Sequence, residues 1–220
     1  VCEVTKFFTL GRVNDSLSQE IAFLKEQIAI EGEKLEVPTM IEGTSTSYYE
    51  LLPAKVISNT THLRNNYVTL DIGKYDGVEK NMAVVSTKGV IGIVKGVSGS
   101  FSSGISVLHS DFAVGARIKG LDENGTLVWN GDDHIYAILK DIPGHVNVKK
   151  GQKIEVNSYS FIFPESTPIG TVEDFSLVTG QAFYEIKVKL NDDFRNIDHV
   201  YVVKNRFIEE KVELEEEIKD

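Results

Sequence analysis

The segment Leu70–Val94, LDIGKYDGVEKNMAVVSTKGVIGIV, contains the pattern that decides the fold. A glycine-containing turn around Gly77 leads into the apolar run Met82–Val85, and a second β-branched run begins at Val90. Short β-branched runs separated by Gly, Ser, Thr and Lys predict two strands joined by a hairpin. Gly92, inside the second strand, permits a bulge or a close crossing of neighbouring strands.

The same pattern occurs a second time in the chain. Val148, Lys150 and Ile154 lead through a longer turn to IGTV at Ile169–Val172, which corresponds to IGIV at 91–94. The two segments therefore indicate a diverged internal repeat.

Working outward from both segments, period-2 alternation predicts two series of six strands. The first series covers residues 54–58, 67–71, 83–86, 90–97, 105–108 and 114–118, and the second covers residues 126–129, 135–139, 153–156, 169–175, 184–190 and 200–203. We expect a mainly β fold of two small six-stranded β-barrel units, residues 52–120 and 121–204, because closure removes unpaired strand edges. A duplicated sandwich has the same periodicity, and strand exchange between the units is also possible.

The N-terminal residues 1–37 have a different, seven-residue periodicity. Isoleucines and leucines occupy alternate a and d positions, the pattern of a parallel two-stranded coiled coil, and a single a-position asparagine is typical of a register-setting residue. We predict a homodimer whose coil interface consists of Leu10, Asn14, Leu17, Ile21, Leu24 and Ile28, with Glu20 opposite Lys25 of the second copy. An amphipathic helix lying on the protein's own core is the alternative. Residues 38–51 read as a linker and residues 205–220 as an acidic, solvated tail.

Composition limits the classes of partner and of chemistry. The 220 residues have a net charge of −10 and a pI near 5.0, which disfavours nucleic acid as a partner. The single cysteine, Cys2, excludes an intrachain disulfide and any multi-cysteine zinc site. The sequence has no uninterrupted apolar run of the roughly 18–20 residues that cross a bilayer.

The search for catalytic or ligand-binding residues gives none. Tandem small barrels are also the architecture of chymotrypsin-like proteases, but the serine-rich segment Gly96–Gly104 lacks a GxSxG motif and is typical of a β-turn. Asp132, Asp133 and His134 lack the spacing of a metal site, and no phosphate-binding glycine motif is present. We therefore predict no catalytic residue, no metal and no cofactor. Trp129 is expected to pack over a barrel mouth, with a partner anchor as the alternative.

Coil, linker and duplicated β units in this order resemble the rod shape-determining protein MreC family. The likeness is sharpest in Leu70–Val94 and in IFPESTPIGTV, Ile162–Val172, where the residues matching the family motifs are Gly73, Gly77, Met82, Gly89, Gly92, Phe163, Pro164, Pro168 and Gly170. Residues 151–159, GQKIEVNSY, depart from the family's usual GD.V.TSG sequence.

The resemblance implies a non-enzymatic scaffold of the bacterial cell-wall elongation complex that maintains rod shape. It implies a bitopic inner-membrane protein, with a transmembrane helix preceding this segment and the segment itself on the periplasmic or extracytoplasmic side. The implied partners are a second copy, further copies that assemble through the β units, the elongation penicillin-binding transpeptidase, MreD and MreB. An adaptor (membrane-fusion) subunit of a transport system is the alternative, since such proteins also combine a coil with small barrels.

Overall fold

A computed structural model describes residues 49–160, 162–177 and 182–205, which all belong to one compact unit, Ser47–Asp220. The predicted coil residues from Leu10 to Ile28 and the acidic tail lie outside the described residues. No helix in the described part of the chain combines the length and apolarity needed to cross a membrane.

The described residues form twelve strands and one short 3-10 turn. The turn is Lys74–Asp76, between β2 and β3. The strands are β1 (Tyr49–Asn59), β2 (Asn65–Leu70), β3 (Ala83–Val85), β4 (Val90–Val97), β5 (Ser102–His109), β6 (Ala113–Ile118), β7 (Asn124–Val128), β8 (Tyr136–Pro143), β9 (Lys153–Val156), β10 (Pro168–Leu177), β11 (Phe183–Leu190) and β12 (His199–Asn205).

Twelve antiparallel strands close into two barrels of six. The first barrel has the order β1-β12-β3-β4-β5-β2 and the second has the order β10-β11-β8-β7-β6-β9. The prediction of a mainly β fold with two six-stranded barrels is confirmed. Alternate residues of each strand fill the interior, as in β11, where Ile186, Val188 and Leu190 are buried between exposed neighbours.

The barrels do not coincide with the predicted contiguous units 52–120 and 121–204. Strand β6, expected in the first unit, pairs with β7 and β9 of the second barrel. Strand β12, expected in the second unit, pairs with β1 and β3 of the first barrel. Alternation indicates which residues face inward but does not identify the neighbouring strand, so the strand exchange left open by the sequence is the arrangement that the topology has.

The two barrels have the same ring of strands in a circularly permuted chain order. Each strand of the first barrel has a counterpart in the second: β1 matches β7, β2 matches β8, β3 matches β9, β4 matches β10, β5 matches β11 and β12 matches β6. The second barrel therefore begins with β6, the counterpart of β12, which completes the first barrel. The repeat seen in the sequence is thus a repeat of a whole barrel.

Backbone hydrogen bonds support this correspondence residue by residue. The amides of Asn81 and Gly151 donate to the carbonyls of Val94 and Val172, both over 2.8 Å. The amides of those two valines in turn donate to Met82 and Gln152, both over 2.9 Å. Asn81 and Gly151 both have a positive φ, +66° and +83°, which Gly and Asn adopt more readily than other residues.

Candidate functional site

Equivalent glycines let two strands of each barrel approach closely. A side chain at Gly92 would collide with the carbonyl of Ile105 on β5, and one at Gly170 would collide with the carbonyl of Lys189 on β11. The sequence had indicated a bulge or close crossing at Gly92, and the structure shows a crossing too close for any Cβ atom.

The motif residues Gly73, Gly77 and Met82 organise the turn that precedes β3. Gly73 lies against the β4–β5 hairpin, since a Cβ there would be 2.6 Å from the carbonyl oxygen of Ser98. Its amide donates to Asp76 Oδ2 over 2.9 Å. Gly77 ends the 3-10 turn with φ +84°, and the Met82 side chain packs against the core. These contacts of Gly73, Gly77 and Met82 all lie within the first barrel.

The β3–β4 hairpin joins the first barrel to the second. Gly89, at the end of this hairpin, lies directly against the backbone carbonyl of Pro168, the first residue of β10. On the same hairpin the hydroxyl of Ser86 donates to Asp192 Oδ2 over 2.7 Å. The side-chain amide of Asn191 donates to the Lys88 carbonyl over 3.1 Å. Asn191 and Asp192 open the segment that carries the chain from the second barrel back to β12.

Burial of Asp192 raises the pKa of its carboxyl group, while the Ser86 hydroxyl and the Lys88 charge act in the opposite direction. Burial disfavours the charged form of a carboxylate. The contact between the barrels therefore includes an ionisable group held in an environment that favours its neutral form.

The FP motif lies beside this junction. Phe163 is buried, and its ring meets that of Phe112 edge to face with centroids 6.5 Å apart. Pro164 closes the loop, since its carbonyl accepts a 2.7 Å hydrogen bond from the Thr167 hydroxyl. A cavity of about 320 Å³ separates Ile162 and Phe163 of this loop from Ile93 on the first barrel.

Burial and the negative charge of Glu165 raise the pKa of Tyr49 at the start of β1.

An ion-pair cluster connects β6 to β9 within the second barrel. Arg117 lies 3.0 Å from Glu155 Oε1 and 3.1 Å from Glu165 Oε1. The Glu155 side chain is only 7% exposed, and its nearest cations are Arg117 and the more distant Lys119, 3.9 Å from Glu155 Oε2. Arg117 and Glu155 are opposite each other in the β6–β9 ladder, so the pair lies across the two strands.

The predicted motif residues thus separate into two groups. The structure brings together Gly89 and Pro168, with Phe163 and Pro164 in the adjoining loop. Gly73, Gly77, Met82, Gly92 and Gly170 shape the individual barrels instead. Sequence reasoning missed Ser86, Asn191 and Asp192, because a hydrogen bond between residues about a hundred positions apart leaves no periodic signal.

The residues that the sequence analysis considered as catalytic or metal-binding candidates lie in turns. The hydroxyl of Ser98, in the glycine-rich segment, forms a turn with Phe101, accepting from its amide and donating to its carbonyl. Asp133 Oδ1 accepts from the amide of Ile135, and the indole of the buried Trp129 donates to the Asp133 carbonyl over 2.8 Å. Among residues 49–160, 162–177 and 182–205, no group of three His, Cys, Asp or Glu side chains is arranged to hold a metal ion.

Comparison with known proteins identifies the family. The model of the family "Rod shape-determining protein MreC, barrel core" matches residues 56–204, about two thirds of the chain. The chain belongs to the MreC family.

Relatives and solved structures agree with this assignment. The cell shape-determining protein MreC of Listeria monocytogenes is 31% identical over 193 residues, 86% of this chain and 63% of that protein. A solved structure of the Listeria MreC has a TM-score of 0.63 at 29% identity, covering 88% of this chain and 91% of the other. The solved complex of penicillin-binding protein PBP2 with MreC from Helicobacter pylori contains a chain of the same fold. That chain has a TM-score of 0.58 at 18% identity, covering 72% of this chain and 99% of the other.

This chain therefore spans less than two thirds of the length of its Listeria MreC relative. The matched region of the MreC family, residues 56–204, contains both barrels and their junction.

The outer surface of the first barrel carries several exposed apolar side chains. Leu51 and Ile57 project from β1, and Tyr67 projects from the neighbouring β2. Tyr75, 85% exposed, lies in the 3-10 turn, and the exposed Phe101 lies in the β4–β5 hairpin. Large exposed apolar patches are typical of interaction surfaces, so these two groups of side chains are candidates for partner contact.

Proposed function

We propose that this chain is a non-enzymatic scaffold of the bacterial cell-wall elongation complex that engages the elongation penicillin-binding transpeptidase and so maintains rod shape. The observation that carries the proposal is the complete pair of barrels over the residues that match the MreC family. The complex of a Helicobacter MreC with PBP2 supports the choice of partner.

The mechanism is a shift of the transpeptidase population toward one conformation. A scaffold that binds an active conformation more tightly than an inactive one raises the active fraction without taking part in catalysis. The close backbone contact between Gly89 and Pro168 would hold the surfaces of both barrels in a fixed relation. That fixed relation is what a scaffold needs in order to discriminate between partner conformations.

The proposal extends to dimerisation and location. The heptad residues from Leu10 to Ile28 would pair two copies, and the barrels would act on the periplasmic or extracytoplasmic side of the inner membrane in a complex that also contains MreD and MreB. The motif residues such as Gly73 and Gly170 would then serve the fold of the scaffold, and the exposed apolar residues would contact the partner.

Binding of the purified chain to the extracytoplasmic region of the transpeptidase tests the partner. Two double variants compare the apolar surfaces: Leu51→Ser with Ile57→Ser, and Tyr75→Ser with Phe101→Ser. We expect one pair to weaken binding at least tenfold and the other to leave it unchanged, since a few apolar anchors dominate most interfaces. If the wild-type chain does not bind and fails to restore rod shape to cells depleted of their own MreC, the scaffold function is wrong.

Sedimentation of the full chain tests the coil separately. Ile21→Asp with Leu24→Asp places charges in the predicted seam and should convert a dimer to a monomer. Glu20→Gln changes only an exposed pair and should leave the dimer intact. A wild-type chain that sediments as a monomer would remove the coil from the proposal but would leave the transpeptidase interaction to its own test.

A further inference from the structure

The chain contains two Asn–Gly dipeptides, and the fold gives them opposite surroundings. Asn124–Gly125 opens β7, and Asn130–Gly131 lies in the loop between β7 and β8. The side-chain amide of an asparagine can be attacked by the backbone nitrogen of the next residue, and a glycine obstructs this attack least because it has no Cβ atom. The two dipeptides therefore carry the same reactive groups, and their surroundings decide whether those groups can meet.

Strand β7 holds the first dipeptide in place. Gly125 is buried and lies opposite Ala116 in the β6–β7 ladder. On its other side, a Cβ atom at Gly125 would collide with the backbone carbonyl of Lys140 in β8. The Gly125 nitrogen is thus enclosed between two strands and cannot turn toward the Asn124 side chain unless the ladder opens.

The second dipeptide has none of these restraints. Asn130 and Gly131 are both exposed, and a Cβ atom at Gly131 would have no neighbour within 4 Å. Gly131 has a φ of +90°, outside the range of a strand. Its backbone N–H has no hydrogen-bond partner in the part of the chain that the structure describes. The nitrogen that would attack Asn130 is therefore open to solvent and free to move.

Asp132 orients the Asn130 side chain. The Asp132 amide donates to Asn130 Oδ1 over 3.3 Å, and Asn130 Nδ2 donates to the Asp132 carboxylate over 2.7 Å. Attack at Asn130 Cγ places negative charge on Oδ1, and a backbone N–H directed at that oxygen stabilises the charge. Neither contact uses the Gly131 nitrogen.

We propose that Asn130 is a site of spontaneous deamidation and that the fold protects Asn124 from the same reaction. The Gly131 nitrogen forms a bond to Asn130 Cγ, the Cγ–Nδ2 bond breaks, and the amide group leaves as ammonia with the proton that the Gly131 nitrogen gave up. Water then opens the cyclic imide at either of its carbonyls and leaves aspartate or isoaspartate at position 130. The proposal does not depend on the scaffold function.

The modification changes the charge and the backbone of the loop. Both products carry a carboxylate where Asn130 has a neutral amide, beside the carboxylates of Asp132 and Asp133. Isoaspartate also routes the main chain through the former side chain and so lengthens it. Trp129, the single tryptophan, immediately precedes the site, and its indole donates to the Asp133 carbonyl over 2.8 Å. Its fluorescence is therefore a direct reporter of the change.

Incubation of the full chain at mildly alkaline pH and physiological temperature tests the proposal. One tryptic peptide, residues 120–140, contains both sites, so mass spectrometry with fragmentation compares them within the same molecule. We expect Asn130 to react at least about tenfold faster than Asn124, because Asn124 reacts only when its strand opens locally. The rate at Asn130 should rise with pH, since the attacking nitrogen must lose its proton. Labelling by an isoaspartyl methyltransferase identifies the isoaspartate product.

Two controls separate the fold from the dipeptide itself. In urea-unfolded chain the two sites should react at similar rates, because only the folded ladder distinguishes them. The Asn130→Gln variant should keep its Trp129 fluorescence during an incubation that changes the wild-type signal, since the longer side chain forms a cyclic imide far more slowly. Equal rates at the two sites in the folded chain, or an Asn130 that reacts only in urea, would overturn the proposal.

Discussion

The carbonyl oxygen of Pro168 occupies the space in which a side chain on Gly89 would begin. Gly89 belongs to the β3–β4 hairpin of the first barrel, and Pro168 begins β10 of the second. Because each residue lies in one of the two sequence motifs that match the MreC family, the motifs meet in space.

Replacing Gly89 by alanine should destabilise the junction between the barrels. The new methyl group would collide with backbone atoms, which cannot rotate away as a side chain can, so we expect a loss of about 1–3 kcal/mol in the free energy of unfolding. Urea unfolding followed by circular dichroism measures the loss.

Gly96→Ala is the matched control for Gly89→Ala. Gly96 lies in β4, and an added Cβ atom would have no neighbour within 4 Å. We expect this variant to unfold at the wild-type urea concentration or slightly above it. The same loss in both variants would show that Gly89 is not held against Pro168.

Asp192 should make the stability of the junction depend on pH. Burial raises its pKa in the folded protein, so the folded state binds the proton more tightly than the unfolded state. The resulting stabilisation is complete below the ordinary aspartate pKa and is lost as the pH rises through the raised value. Relative to Asp192→Asn, the wild type should therefore lose stability as the pH rises from the ordinary aspartate pKa through the raised one. Urea unfolding of both proteins across this range checks the sign.

Two variants separate this effect from general surface charge. Asp122→Asn removes a carboxylate from an exposed turn and should show no comparable pH-dependent difference from the wild type. Ser86→Ala removes the hydroxyl that donates to Asp192 and should cost about 1.5–3 kcal/mol at pH 7 and less in acid. A wild type that becomes more stable than Asp192→Asn as the pH rises would contradict the prediction.

Arg117→Met should destabilise the second barrel far more than an equivalent change at the surface. The variant leaves Glu155 buried without its closest cation, a loss that typically costs about 3 kcal/mol or more. Lys150→Met removes a cation 2.9 Å from Asp174, but both side chains of that pair are mostly exposed. We expect it to cost far less than Arg117→Met in the same urea measurement, because solvent screens an exposed pair. Equal costs would mean that solvent already screens Glu155.

The correspondence of Asn81 with Gly151 predicts matching responses to substitution. Both residues have a positive φ, so alanine should cost about 1–2 kcal/mol at either position. Asn81→Gly and Gly151→Asn exchange the two residues that tolerate this conformation and should each change stability by less than about 1 kcal/mol. Thermal unfolding of the four variants measures the costs. A large loss in either exchange variant would show that the two turns are not equivalent.

The sequence alone was enough to predict twelve strands and two barrels, because β-branched alternation and glycine turns are local features. It could not assign β6 and β12 to their barrels, since a strand such as Val114–Ile118 has the same alternation whichever neighbours it pairs with. It also identified Gly89 and Pro168 as motif residues without showing that they touch. Contacts such as Ser86 with Asp192 depend on the relative placement of the barrels, which no periodicity encodes.

The permuted strand order predicts that only the second barrel can fold from a contiguous segment. Residues 111–191 contain all of β6–β11 and should give a cooperatively unfolding β protein. Residues 48–111 lack β12, which leaves β1 and β3 with unpaired edges, so this segment should aggregate or remain unfolded. Placing residues 198–205 before residue 48 through a short glycine-serine linker restores the strand and should restore folding. Circular dichroism and the dispersion of amide NMR signals distinguish the three cases. A folded 48–111 segment, or an unfolded permuted one, would show that β12 is not what completes the first barrel.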